Sequence, residues 1–142
     1  MRDMDYVNDI RTIASHDNLF AINGVLAIDL TGQIAADSLG TRMFNGAGGQ
    51  VEFVIGSILS KGGHSITVLR STTRNGKISR IMPTLEAGTV VTIPRTFTDY
   101  VVTEYGIACL WGKSQQERVK ALISIAHPDF RDDLREQAEK LY

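Results

Sequence analysis

The stretch that most restricts what this chain can fold into is Asn45-Gly46-Ala47-Gly48-Gly49, followed directly by Gln50-Val51-Glu52-Phe53-Val54-Ile55-Gly56-Ser57-Ile58-Leu59. Three glycines in a five-residue loop permit positive φ and let the backbone approach a ligand closely. In the ten residues that follow, Val51, Val54, Ile55, Ile58 and Leu59 recur at helical spacing and predict a helix with one buried face. A glycine loop opening such a helix aims unpaired N–H groups and the positive end of the helix dipole at one spot. Negative charge or a polarised carbonyl oxygen is favoured there. The same pattern also serves tight packing with no ligand, and these residues alone leave both readings open.

The 142 residues form one domain, able to bury a single core. Its 43% hydrophobic and 22% charged residues place it among globular chains rather than disordered ones. A net charge of −1 argues against a general nucleic-acid or anionic-membrane binder, leaving room only for a local basic patch. The sole cysteine, Cys109, cannot form an internal disulfide and lies in an apolar run, so a buried, inert thiol is expected. No apolar run approaches the length of a membrane span, and Met1-Arg2-Asp3-Met4-Asp5 is too acidic and polar for a signal peptide. A cytoplasmic location is the expectation.

Residues 6–15 carry Val7, Ile10, Ile13 and Ala14 on one face and predict a short helix ending at His16-Asp17-Asn18. Leu19 to Ile22 and Val25 to Leu30 read as strands with a turn or bulge at Asn23-Gly24. Thr31-Gly32 then turns the chain back through Gln33-Ile34-Ala35. The central helix should stop at Lys61-Gly62-Gly63. Ser65 to Arg70 and Lys77 to Met82 flank Arg74-Asn75-Gly76, a strong hairpin signal. Thr89 to Ile93 and Tyr100 to Thr103 are further β-rich runs. Ser114-Gln115-Gln116-Glu117 is a capping box opening a helix with the face Val119, Leu122, Ile123 and Ala126. Pro128 ends that helix and starts the last, whose face is Phe130, Leu134, Ala138 and Leu141. The expected architecture is α/β, an open, mainly parallel sheet flanked by helices, with hairpins at its edge. Consecutive apolar positions at Val90-Val91 and Val101-Val102 point to a sheet covered on both faces.

His16, His64 and His127 lack zinc-ligand spacing, so no metal site is expected. No nucleophile elbow, Walker A loop or dinucleotide fingerprint is present. Arg70, Arg74, Lys77 and Arg80 fall on one predicted hairpin, where they either hold a phosphate or are solvated charge. Glu104 follows the strand Val101-Val102-Thr103, and the end of a strand in an α/β sheet is where ligands are met, although a plain ion pair is the alternative.

Taken in order, the Val25-to-Gln33 hairpin, the Asn45-to-Phe53 loop, Ser71-Thr72-Thr73-Arg74-Asn75-Gly76-Lys77-Ile78-Ser79-Arg80-Ile81, Tyr100-Val101-Val102-Thr103-Glu104-Tyr105-Gly106 and Ile125-Ala126-His127-Pro128-Asp129-Phe130-Arg131 resemble the C-terminal domain of the acetyl-CoA hydrolase/transferase family. That family includes 4-hydroxybutyrate CoA-transferases and succinyl-CoA:acetate CoA-transferases. The resemblance runs from about Tyr6 to the end, and it implies a CoA-transferase (NagB/RpiA-like) fold. Residues 1–142 would be equivalent to the C-terminal domain of a two-domain CoA-transferase.

Such enzymes move CoA between carboxylic acids through an acyl-glutamyl anhydride and a glutamyl-CoA thioester, which is covalent catalysis by a carboxylate. The resemblance implies that Gly49 offers its N–H to the thioester oxyanion. Asn45, with Gly46 and Gly48, helps hold the CoA. Val25 touches its pantetheine arm, and Lys77 or Arg74 meets a CoA phosphate. Glu104 lines the active site without being the nucleophile. Acyl-CoA is a substrate, with no covalently bound cofactor, and short-chain carboxylates are its partners in exchange. The nucleophilic glutamate of the family lies upstream of this domain, so the chain is expected to need an N-terminal catalytic domain in cis or trans, to assemble as a homo-oligomer, and to show no turnover alone. An isolated domain, a truncated gene product and one half of a split enzyme all fit. Glu104 acting as nucleophile is the alternative within the enzyme reading. The rival class is a non-catalytic module that binds CoA thioesters or supports an oligomer. An unrelated nucleotide-phosphate binder would rest on the glycine loop alone.

Overall fold

The computed structural model describes residues 2–46, 48–73 and 75–142. Its N-terminus is two short helices, α1 (Met4–Val7) and α2 (Ile10–Ala14), where the sequence predicts one. The break has a local cause. Asp9 leaves helical geometry and its carboxylate accepts from the N–H groups of Arg11 (2.7 Å) and Thr12 (3.3 Å), capping α2. Hydrogen bonding from Arg11 brings its pKa down to about 2.

The main sheet has four strands in the order β1 (Phe20–Gly24), β6 (His64–Val68), β8 (Tyr100–Thr103) and β9 (Gly106–Cys109). The first three are parallel and β9 is an antiparallel edge hairpin. The crossover from β1 to β6 carries helix α3 (Gln50–Leu59), as a parallel pair requires. Between these lie β2 (Ala27–Asp29), β3 (Ile34–Ala35), β4 (Ser38–Leu39), β5 (Arg42–Met43) and β7 (Ile81–Met82). They make a three-stranded sheet, ordered β3-β2-β7, and a separate β4–β5 pair. The predicted turn at Thr31-Gly32 joins β2 to β3; Gly32 takes φ +96° and its N–H reaches Asp29 O at 2.9 Å.

α3 occupies the predicted residues and is followed by Gly62 at φ +73°. Its packed side differs from the expectation. Val54, Gly56 and Ser57 are buried, Ile55 and Ile58 half-buried, and Val51 and Leu59 exposed. The reason is that α3 lies between the sheet and α2, and the α2 contact needs a small residue. A Cβ on Gly56 would lie 2.4 Å from Ile13 Cγ2. Helix α4 (Gln115–Ser124) begins with the predicted capping box and buries Val119, Leu122 and Ile123. A 3₁₀ turn at Pro128–Phe130 leads into α5 (Arg131–Leu141), whose Leu134 and Ala138 are buried while Leu141 is exposed. Side chains of both sheets and of α3, α4 and α5 form one core cluster that includes Ile28, Ile81, Val101, Val54, Leu122 and Leu134.

Other expectations are corrected. Asn23-Gly24 is paired strand, in register with Thr67-Val68, and the chain changes sheets just after it. Ser65–Arg70 and Lys77–Met82 are not two arms of one hairpin, because β6 belongs to the main sheet and β7 pairs parallel with β2. The Asn75-Gly76 turn survives as a tight excursion closed by Thr73 N–H to Ile78 O at 2.9 Å. Thr89–Ile93 is not a strand; Ile93 alone bridges to Ile34, and Val90 and Val91 are exposed.

Among the described residues, helices cover the main sheet on one face only. Ala21, Ser65, Thr67, Val101, Thr103 and Ala108 point to the buried side, where α3 and α4 pack. The other face, from Phe20 and Ile22 across to Ile107 and Cys109, is open. Among the described residues no helix is long and apolar enough to cross a membrane.

Candidate functional site

The three parallel strands β1, β6 and β8 end side by side, and the chain leaves them through Val25, Leu69-Arg70 and Glu104. The ladder continues one step past the strands. Val25 N–H donates to Val68 O and Leu69 N–H to Val102 O, both at 3.1 Å. This alignment places three of the chemically significant residues along one rim, at the carboxyl ends of a parallel sheet. A cleft of about 580 Å³ opens there, lined by the Gly24–Leu26 segment, Ala36, Asn45, Arg70 and Arg80 among others. A second cleft, of about 460 Å³, is lined by Arg70, Thr72, Thr73, Gly76 and Glu104. Arg70 belongs to both. Among the described residues neither Arg70 nor Arg80 is paired with a carboxylate.

Glu104 is held from below by Ser71, which is fully buried. The Ser71 N–H donates to Glu104 Oε2 at 2.9 Å and the Ser71 hydroxyl to Oε1 at 2.7 Å. Burial pushes the carboxyl up. The two bonds from Ser71, one from its own backbone and the nearby His127 outweigh that, so it titrates below its ordinary value. A carboxylate fixed in this way is ionised and aimed. Asn45 is also anchored, its Nδ2 donating to Ala36 O at 3.2 Å, which leaves its amide oxygen as the free end. Val25 is buried in the wall of the same cleft.

The glycine loop delivers its last residue, Gly49, as the N-cap of α3. Glycine has no side chain to fold back on the first turn, so the leading N–H groups of α3 are left without a side-chain cap. Positive φ is not what Gly49 needs glycine for, since it has φ −85°. Space is the reason at Gly49, where a Cβ would lie 2.6 Å from Asn8 Nδ2; at Gly46 and Gly48 nothing comes within 4 Å. Three buried polar atoms lack a hydrogen-bond partner among the described residues. Gln50 Nε2 and Glu52 Oε2 are on the first turn of α3, and Asn23 Nδ2 is on β1, against which α3 packs.

Val25, Asn45 and, through Arg70, Glu104 are thus brought together. Lys77 is not; it is exposed and lines a separate groove with Ile78, Met82 and Phe130. Arg74 and Ala47 lie outside the described residues. Arg70 and Arg80 stand out on the sequence only as members of a basic hairpin. What makes them site residues is the meeting of two sheets, which no local pattern announces. Ser71 carries a weak signal, a small hydroxyl residue just past a strand. Cys109 is half-buried rather than buried. His64 Nδ1 lies 2.8 Å from Asp99 Oδ2, and His127 accepts from Asp129 N–H, so both are held by neighbours. Among the described residues no group of three His, Cys, Asp or Glu is placed to hold a metal ion.

The sequence matches the acetyl-CoA hydrolase/transferase C-terminal domain family over residues 1–138. It is 47% identical over 139 residues to 4-hydroxybutyrate coenzyme A transferase of Clostridium kluyveri, covering 98% of this chain and 32% of that protein. It is 49% identical over 140 residues to butyryl-CoA:acetate CoA-transferase of Anaerostipes caccae, covering 96% of this chain and 31% of the relative. Among solved structures, RipA from Yersinia pestis superposes with a TM-score of 0.89 at 45% identity, covering 96% of this chain and 31% of that one. The chain therefore spans about a third of the length of the relatives it matches.

Proposed function

Because this chain belongs to the acetyl-CoA hydrolase/transferase C-terminal domain family, we propose that it supplies the CoA-binding and oxyanion-stabilising half of an enzyme that transfers CoA between an acyl-CoA and a short carboxylate, or hydrolyses acetyl-CoA. The observation that carries the reading is the rim of Val25, Arg70 and Glu104 at three adjacent strand ends, with Asn45 and two unpaired guanidiniums in the same cleft. A thioester with an anionic nucleotide end needs an apolar wall and cations, which Val25, Arg70 and Arg80 supply in the cleft, and a preorganised donor, which we assign to Gly49 at the start of α3. In this reading residues 1–142 are one domain, equivalent to the C-terminal domain of a two-domain CoA-transferase.

Gly49 offers the N–H for the thioester oxyanion, with Gly46 and Gly48 giving the ligand room. Asn45 and Val25 contact the pantetheine arm. Arg70 and Arg80 take the phosphate role in the cleft, and Lys77 or Arg74 meets a CoA phosphate beyond it. Glu104, kept ionised by Ser71, lines the reacting end of the site without being the nucleophile. The nucleophile comes from the N-terminal domain, so the chain alone has no turnover. The reading extends to a cytoplasmic enzyme that works as a homo-oligomer, testable by fractionation and light scattering. Calorimetry with CoA and acetyl-CoA tests the core of it. Heat of binding that Arg70→Ala and Asn45→Ala each weaken about tenfold is expected; no heat at millimolar ligand would leave only a structural module.

A further inference from the structure

Another cavity, of about 310 Å³, lies at the opposite end of the main sheet from the rim and is lined by Arg95, Thr96, Lys113, Gln115, Arg118 and Tyr142. The 3₁₀ turn Arg95–Phe97 leads into β8, while β9 runs back antiparallel and delivers Lys113 and Gln115 beside it. The whole of β8 therefore separates this cavity from Glu104, and among the described residues it shares no lining with the two rim clefts. Arg118, at the end of the first turn of α4, draws its three cations together. Its Nη1 donates to Arg95 O at 2.9 Å and to Thr31 O at 3.2 Å, and its Nε to Lys113 O at 3.4 Å. Charges on a solvated face swing apart; this guanidinium is tied to the backbone of the two residues that carry the other charges. The carbonyls hold its plane without neutralising it and leave Nη2 free among the described residues. Among the described residues no carboxylate is ion-paired with Arg95, Lys113 or Arg118. Asp29, on the adjoining turn, is taken by Thr31 and Gln33. Glu117 lies in the field of Lys113 but accepts from the N–H and the hydroxyl of Ser114. Burial, and after it the neighbouring Arg95, hold the Arg118 guanidinium below its ordinary value, so its charge stands at a cost that an anion relieves.

We propose that this pocket binds a small phosphate-type anion, inorganic diphosphate fitting it best, at a site separate from the CoA clefts. Each phosphoryl group carries about −1.5 to −2 near neutral pH, so a linked pair balances three cations. Arg95 and Arg118 offer planar forks and Lys113 a point charge, the donor set that recognises phosphoryl oxygens, with the Thr96 hydroxyl a further donor. The volume is at the low end of ligand sites, about 300–1,000 Å³, which favours the free anion over one that carries a nucleoside. The site stands whether or not the rim binds CoA, because it uses none of the rim's residues.

The test is calorimetric titration of the 142-residue chain with inorganic pyrophosphate at low ionic strength. One site per chain with a Kd of about 1 mM or tighter is expected, weakened at least about tenfold by Arg95→Gln/Lys113→Gln. Both side chains are exposed, so that variant should melt as the unsubstituted chain does; Arg118 is left in place because its bonds tie three segments together. Arg2→Gln/Arg42→Gln removes the same charge from exposed positions that line neither this pocket nor the rim clefts, and should change the affinity less than about twofold. Equal losses in the two variants would mean unspecific attraction to positive surface and overturn the site, as would no heat up to about 10 mM pyrophosphate. Binding that Arg70→Gln abolishes and Arg95→Gln/Lys113→Gln spares would put the anion in the rim clefts instead. ADP should bind no more tightly than pyrophosphate; binding more than about tenfold tighter, lost in the same variant, would overturn the free anion in favour of a nucleotide. CoA titration of Arg95→Gln/Lys113→Gln should match the unsubstituted chain, and a parallel loss of CoA affinity would overturn the separateness of the two sites.

Discussion

Gly56→Ala is a sharp test of how the glycine loop is held. Alanine is the better helix former by about 1 kcal/mol, so propensity alone predicts a more stable protein. The structure predicts the opposite. The added Cβ would lie 2.4 Å from Ile13 Cγ2 and 2.6 Å from Ile13 Cβ, where about 3.5 Å is the closest comfortable carbon–carbon approach. Rotating the Ile13 side chain moves Cγ2 but not Cβ, so α2 and α3 must part by about 1 Å. Overpacking of this kind costs about 1–3 kcal/mol. Because the Ile13 Cβ cannot turn away, this case belongs at about 2–3 kcal/mol; less about 1 kcal/mol of propensity, a loss of about 1–2 kcal/mol is expected, or about 2–8 °C in Tm for a chain of this size. Urea unfolding followed by circular dichroism measures it, with the midpoint falling at constant m-value. The double variant Ile13→Ala/Gly56→Ala should be less destabilised than the sum of its parts, since the two side chains compete for one space. Because α3 carries Gly49 at its start, CoA affinity should fall as well. An unchanged or raised midpoint, or strict additivity, would refute the close-contact reasoning.

Removing the Ser71 hydroxyl (Ser71→Ala) should raise the Glu104 pKa towards its ordinary value, as read by carboxyl NMR titration; no movement would mean the bond does not hold the ionised form. The linked stability has a definite sign: a carboxyl whose folded pKa is depressed stabilises above its unfolded pKa, and that contribution fades as pH falls through the folded value, so the variant should lose less on acidification. Asp29 is buried and accepts from the N–H groups and side chains of both Thr31 and Gln33 at 2.7–3.0 Å. Asp29→Ala strands those donors and should cost about 3 kcal/mol or more in denaturant unfolding; a loss below 1 kcal/mol would show that the β2–β3 turn holds itself. Arg80→Ala should weaken binding of CoA about tenfold and leave pantetheine, which lacks the nucleotide phosphates, unaffected; equal losses for both would remove Arg80 from phosphate binding.

Apart from the N-terminal helix, which the Asp9 cap splits, signals that depend on neighbouring residues survive in the structure. The Ser114–Glu117 capping box closes as its spacing says, and α3 occupies the residues its periodicity marks. Asn75-Gly76 turns the chain tightly. Signals that depend on distant partners do not survive. Nothing at Asn23-Gly24 tells that the chain leaves one sheet for another, because both residues remain in extended, paired backbone. Val90 and Val91 look like a covered strand, yet no partner strand comes to them and only Ile93 is drawn in. The site divides along the same line. Glu104 is legible because a carboxylate just past a strand is a local pattern. Arg70 and Arg80 come together only through the meeting of the main sheet with β7's sheet, so sequence groups them for the wrong reason.

The charges along the rim also order the ligand. Arg80 lines the first cleft, Glu104 the second, and Arg70 both, so the potential falls from one end of the rim to the other. An elongated ligand with an anionic nucleotide at one end and a neutral thioester at the other has one favourable orientation in such a field, with its phosphates towards Arg80 and its acyl end towards Glu104. The reverse would set phosphate against a carboxylate that Ser71 keeps ionised. The Ser71–Glu104 pair is therefore best understood as a gate on direction. It costs nothing to a neutral acyl group and repels the wrong end of the ligand.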